Sequence, residues 1–154
     1  MPTRRATTVF LTSALLLVVT AACAATARIT GPIDGDFRLL SAQLTTSGGV
    51  ESLEVTAELT NGGSTLLRSG GCLRPDLAID VQAGGSWTAL DVLQTSELVL
   101  CIQAFTLAPG GTQEFTTAFR RATAADLFPR GVPLRLRVLL QPTGSGPTLP
   151  LTIR

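Results

Sequence analysis

The side chains best suited to covalent chemistry in this chain are three cysteines, Cys23, Cys72 and Cys101. An odd thiol is a liability in an oxidising compartment, whereas two thiols make a bridge. One of the three therefore needs a different fate from the other two. The remaining candidates are carboxylates: Asp76, Asp80, Asp91 and Glu97. Paired acids can cleave glycosides, but these four are scattered through predicted loops and outward strand positions without a signature spacing. What is missing constrains the chemistry further. There is no His, Lys or Tyr, and all 12 basic residues are Arg. The exclusive use of Arg reads as the mark of a GC-rich genome, but the absences still remove mechanisms. Without His no Ser-His-Asp or Cys-His arrangement can be built, and without Lys there is no Schiff base. Imidazole metal sites are excluded as well, and the single Met is the initiator. Asp34-Gly35-Asp36 has too few ligands at fixed offsets for a calcium loop and reads as a turn. No metal and no cofactor is implied.

The N-terminus says where the thiols go. Arg4 and Arg5 precede 22 uncharged residues, 6 to 27, with an apolar run from Val9 to Val19. A positive start, a short apolar core and then small residues make an export signal. Three endings compete. Val19-Thr20-Ala21-Ala22-Cys23 resembles a bacterial lipobox, with Thr20 where Leu is usual; cleavage before Cys23 would give residues 1–22 as signal and a lipid on Cys23. Ala25-Thr26-Ala27 is an A-x-A site that would discard residues 1–27, Cys23 included. An uncleaved anchor is the third, weakened by its Thr and Ala content. Arg4-Arg5 lacks the apolar residues that follow a twin-arginine signal. The lipobox is the preferred reading, placing an exported protein in the cell envelope with the membrane as its partner through Cys23. The soluble exported form is the alternative.

Either cleavage leaves Cys72 and Cys101 as a pair, expected to form a disulfide. With 28 residues between them, chain entropy gives the bridge roughly 3.5 kcal/mol. The absence of a Cys-x-x-Cys spacing argues against redox catalysis.

These residues must be positioned by strands. From Phe37 the hydrophobic period is two: Leu53, Val55, Ala57 and Leu59 alternate with Glu54, Thr56, Glu58 and Thr60. Further strands are expected at 37–45, 65–68, 77–82, 86–90, 98–106, 115–119, 134–140 and 149–153, with Ala83-Gly84-Gly85 as a hairpin. Residues 23–35 read as a tether, 91–97 as a loop, and 122–127 as a brief helical corner. Turn signals every 8–12 residues predict an all-β, antiparallel β-sandwich of seven to nine strands over residues 36–154. Trp87 is expected in its core. Arg120, Arg121, Arg135 and Arg137 are expected on solvated strand faces, with contact to anionic lipid headgroups beside the anchor as the alternative.

Leu59-Thr60-Asn61-Gly62, Trp87 after Gly84-Gly85, Leu107-Ala108-Pro109-Gly110 and Gly131 before the 134–140 strand occur in that order. Together they resemble the intracellular proteinase inhibitor (BsuPI-like) domains over about residues 36 to 140. The resemblance implies an immunoglobulin-like sandwich. It departs from the family at Gly111, where an acidic residue is usual, and at Pro133, where Tyr is common. The inhibitory activity and its loop are therefore not carried over to particular residues.

The expected function is non-catalytic: a binding or structural module of unknown partner, with a protein or a protease as the candidates, a proteinase inhibitor as the alternative and a carboxylate hydrolase as the remote one. The loop from Ser69 to Asp76, carrying Arg74 and Asp76 and pinned by Cys72, and the loop from Asp91 to Glu97 are the candidate contact surfaces; the plain alternative is that both merely connect strands. Near-neutral charge without a basic cluster excludes a nucleic-acid footprint.

Overall fold

Leu53, Val55, Ala57 and Leu59 are all fully buried in the computed structural model, while the residues between them lie on the other face of the same strand. The alternation in the sequence is thus the pleat of a half-buried sheet. The structure describes residues 27–31, 35–70, 73–95, 103–121 and 127–154. Eleven strands and no helix run through them: β1 (Ile29–Thr30), β2 (Phe37–Ser47), β3 (Val50–Thr60), β4 (Leu67–Ser69), β5 (Leu77–Ala83), β6 (Ser86–Ala89), β7 (Val92–Thr95), β8 (Phe105–Leu107), β9 (Thr112–Arg121), β10 (Pro133–Val138) and β11 (Thr148–Ile153).

Every pairing is antiparallel. One sheet has the order β1-β11-β10-β5-β6, the second β2-β3-β9-β7, and β4-β8 forms a short separate ladder. In immunoglobulin terms β2-β3-β9-β7 is the A-B-E-D sheet and β11-β10-β5-β6 the G-F-C-C′ sheet. The two inner faces meet in one core. Leu53, Val55, Leu59 and Phe119 come from one side, and Ile79, Leu134, Leu136, Leu149, Leu151 and Ile153 from the other. Two hairpins turn on glycine pairs, Gly48-Gly49 and Gly84-Gly85, each with both φ angles positive. That is the two-residue geometry a right-twisted hairpin favours, and side chains rarely adopt it.

The antiparallel sandwich agrees with the sequence reading, but several elements differ from it. Two strands are additional. β1 lies inside the expected tether, where Ile29 pairs with Ile153 and, with Ala27, packs against the core. β7 lies inside the expected 91–97 loop and extends the second sheet at β9. Strands of two and four residues are too short to display a period. Of the strand expected over 98–106, residues 98–102 lie outside the described residues, and the remainder is strand from Phe105, in β8. Of the corner expected at 122–127 only Leu127 is described, and it is not helical. A bulge between Leu39 and Ser41 lets Leu40 out to solvent. Trp87 is not in the core: β6 is an edge strand, and its register sets Trp87 opposite Gln82 on the outer face, 36% exposed.

Candidate functional site

The expected contact loop is built on side chains that bond to backbone. Arg74 donates from Nη1 to the Thr116 carbonyl at 2.7 Å and from Nη2 to that of Thr95 at 2.6 Å. Thr95↔Ala118 is the final rung of the β7–β9 ladder, so the guanidinium takes up acceptors just where strand pairing ends. A planar fork with several donors suits this; a single ammonium would not. Gln94 ties the same segment from within the sandwich. Its Oε1 accepts from the Leu77 amide at 2.9 Å, and its Nε2 donates to Thr117 Oγ1 at 3.0 Å and to the Pro75 carbonyl at 3.3 Å. Gln113 Nε2 donates to the Leu73 carbonyl at 2.9 Å, and the Asp76 amide donates to Ser69 Oγ at 2.8 Å. Both sheets therefore hold residues 73–77.

Arg74 and Asp76 do not act together as a charged contact pair. Arg74 is half-buried and spent on carbonyls. The Asp76 carboxylate lies against Gly70, where a Cβ would collide with its Oδ2. The side chain offered to solvent is Leu73, 76% exposed and the most exposed large apolar residue described. An isolated Leu between Cys and Arg carries no pattern, so nothing in the sequence marks Leu73. Removing the latch should be costly. Arg74→Ala is expected to destabilise the domain by about 2 kcal/mol, the range for hydrogen bonds to charged groups. Hydrogen exchange at the Leu77 amide should quicken in the same variant, and Arg74→Lys should recover less than half of the loss.

A second cluster lies on the outer face of the five-stranded sheet. Asp80, 2% exposed, is directly opposite Arg135 and diagonal to Arg137. Its Oδ2 accepts from Arg135 Nε at 2.8 Å and Arg137 Nε at 2.9 Å, and its Oδ1 accepts from Arg137 Nη2 at 2.9 Å. Arg137 also donates to the Gly144 carbonyl at 3.1 Å. The Arg135 guanidinium crosses β5 to stack on Trp87, 4.4 Å from the ring centroid. Arg135 and Arg137 are therefore not a simple solvated face: they close over a buried carboxylate. The hydrogen bond from Arg137 holds the Asp80 carboxyl below its ordinary value against the upward push of burial, with Arg135 adding to the effect. An acid held ionised with both oxygens engaged is a rivet, not a proton shuttle.

Glu51 is the other buried carboxylate among the described residues. It accepts from the Phe128 amide at 2.8 Å and is paired with Arg130. Burial pushes its pKa up, but Arg130 and the Phe128 amide outweigh this and the net shift is downward. A depression of about 300 Å³ beside the β2 bulge is lined by Ala27, Ser41, Ala42, Gln43, Leu44 and Glu54. Its Ser41 has no imidazole to activate it, since the chain contains none. Cys23, Cys72, Cys101 and Glu97 lie outside the described residues.

Fold and loop together define an antiparallel sandwich of immunoglobulin topology that presents a latched segment. Compared with protein-family models, with curated proteins and with solved structures, the chain matches none.

Proposed function

We propose that this chain is an exported envelope lipoprotein, attached through Cys23, with a binding and not a catalytic role, and that residues 73–77 are its contact segment. The observation that carries the reading is Leu73. An exposed apolar side chain rides on a backbone held by Arg74, Gln94, Gln113 and Ser69. Such a segment loses little conformational entropy on binding, which is how pre-organisation raises affinity. A non-catalytic role is supported by Asp80 and Glu51, the buried carboxylates among the described residues, both engaged by arginine.

A disulfide between Cys72 and Cys101 forms part of the proposal. The β4–β8 ladder ends at the pair Ser69↔Phe105. Cys72 follows Ser69 by three residues and Cys101 precedes Phe105 by four, a chain length from the end of this ladder that permits a bridge. The bridge would close the loop behind Leu73 and fits an exported protein.

The test is Leu73→Asp in the intact, anchored protein. Retention of an envelope partner by the wild type and its loss from a variant with an unchanged unfolding midpoint supports the reading. Equal retention by both sinks it.

Proteinase inhibition is a second reading, favoured by the way the motifs behind the BsuPI-like resemblance meet. The Asn61 amide donates to the Gly111 carbonyl at 2.9 Å and the Gly110 amide to the Asn61 carbonyl at 2.8 Å. A protease accepting an apolar residue would take Leu73. A panel of proteases left uninhibited at micromolar protein excludes it.

A further inference from the structure

We propose that residues 23–26, between the lipid attachment and the described domain, pair with the outer edge of β2 as an added strand of the second sheet. The inference rests on the anchoring reading for why these four residues are retained. It rests on the edge itself for what receives them.

β2 and β7 are the edges of that sheet, and β2 is the longer, eleven residues against four. The two-residue turn at Gly48-Gly49 makes Ser47↔Val50 a hydrogen-bonded pair. Such pairs alternate along an antiparallel ladder. Ser47, Thr45, Gln43 and Ser41 therefore engage β3 through their backbones, while Thr46, Leu44 and Ala42 turn theirs outward. No backbone among the described residues pairs with these three on that side. Leu44 is only 7% exposed, and backbone groups buried so far are nearly always paired. Nor does the sequence guard the edge. Residues 41–47, Ser-Ala-Gln-Leu-Thr-Thr-Ser, contain no charge and no proline, two devices that keep other strands away. An edge built this way accepts a strand.

The chain supplies that strand itself. β1 runs beside β2 in the opposite direction: Gly31 lies against Leu39, and Ala27 shares the depression with Ser41, Ala42, Gln43 and Leu44. Traced back from Ala27, the chain thus arrives where the outward groups of β2 begin. From Ala42 to Thr46 is four steps of strand, about 14 Å. Four extended residues have the same reach, about 14 Å. Cys-Ala-Ala-Thr is small and uncharged, so it can lie along the depression without burying a charge. Being attached, it meets the edge at an effective concentration on the order of millimolar, which puts a separate strand at a disadvantage.

Pairing also sets where the lipid sits. Running antiparallel to β2, the segment brings Cys23 level with Thr46, beside the Gly48-Gly49 hairpin. On β9 that end is marked by Arg120, opposite Ser52, whereas Gln113, which bonds the Leu73 carbonyl, is near the other end. The strand therefore holds the sandwich in one orientation, with Leu73 at the end away from the membrane. A swivelling tether would present Leu73 to the bilayer as often as to a partner.

The test is amide hydrogen exchange resolved to single residues, on the protein recovered from cells, with its intact mass read alongside. The Ala42, Leu44 and Thr46 amides should exchange slowly. One of two adjacent strand residues must present its N–H to β2, so a variant with both Ala25→Pro and Thr26→Pro breaks the ladder in either register. In that variant the three amides should quicken about tenfold, the contribution of one backbone hydrogen bond. The Val55 and Ala57 amides, inside the sheet on β3, should not change and so report that the domain is folded. A chain beginning at Cys23 whose three amides exchange fast, or alike in both proteins, overturns the pairing and leaves the anchor standing. Protection that survives the substitution and grows with protein concentration assigns the edge to a second copy and overturns the pairing too. A chain that retains Met1 overturns the anchor alone, and the same comparison of exchange still decides the pairing. A chain beginning at Arg28 lacks the segment and overturns both.

Discussion

Replacing Asp80 by Ala is expected to lower the unfolding free energy by about 3–5 kcal/mol, the cost of removing one partner from a buried ion cluster. The large effect comes from what is left behind. Arg135 and Arg137 have side chains only 26% and 20% exposed, and without Asp80 they are two cations side by side under poor solvation. Asp80→Asn recovers little, because half of the amide is a donor facing guanidinium donors. The half-buried pair Arg38–Glu58, at 2.7 Å with side chains 38% and 21% exposed, contains no carboxylate as buried as Asp80 and serves as the internal control. Glu58→Gln should cost less than about 1 kcal/mol. Urea unfolding of the three variants measures the difference.

The same rivet sets the response to acid. The folded chain holds the Asp80 carboxyl below its ordinary value, so the unfolded chain takes up the proton first as pH falls. Its stabilisation is fully present above the ordinary Asp value, near pH 4, and is lost as pH drops through the lower, folded value. Glu51, also shifted downward, acts with the same sign. Between neutrality and about pH 5 the midpoint should hold steady. Below that the wild type should lose stability more steeply than Asp80→Ala.

Asn61→Ala is the second large effect, expected at about 3 kcal/mol. Asn61 is 6% exposed and uses its whole side chain. Nδ2 donates to the Thr65 carbonyl at 2.8 Å and the buried Leu107 carbonyl at 2.9 Å, while Oδ1 accepts from the Gly63 amide at 3.1 Å. Alanine leaves these three backbone groups without that partner, and each unsatisfied buried group costs about 1–3 kcal/mol. Asn61→Asp should be worse at neutral pH, since a carboxylate then points at two carbonyl oxygens, and it should regain stability in acid as the group becomes a donor. A wild-type midpoint for either variant would show that the junction of the 61–65 and 107–111 turns is not held by Asn61.

These contrasts mark how much could be read from the chain. β3 was legible because eight residues of strict alternation leave only a half-buried strand, and the hairpin at Gly84-Gly85 because positive φ demands such residues. β1 and β7 were not, since two or four residues carry no period and exist only through their partners β11 and β9. Trp87 was expected inside on the general preference of large aromatics, but its register on an edge strand sent it out. Asp80 looked like one scattered acid among several. Its burial depends on Arg135 and Arg137, more than fifty residues later in the chain, and no local pattern announces that. Arg74 is expected from the sequence to offer its charge to a partner; in the structure it donates to the carbonyls of Thr95 and Thr116.

The proposed lipid anchor at Cys23 and the proposed Cys72–Cys101 bridge are tested together by intact-mass and peptide mapping of the protein recovered from cells, as wild type and as Cys23→Ala. The account predicts a wild-type chain that begins at Cys23, carries a diacylglycerol adduct and has Cys72 linked to Cys101, with both processing and adduct lost in the variant. An unmodified chain beginning at Arg28, or one that retains Met1, would contradict it.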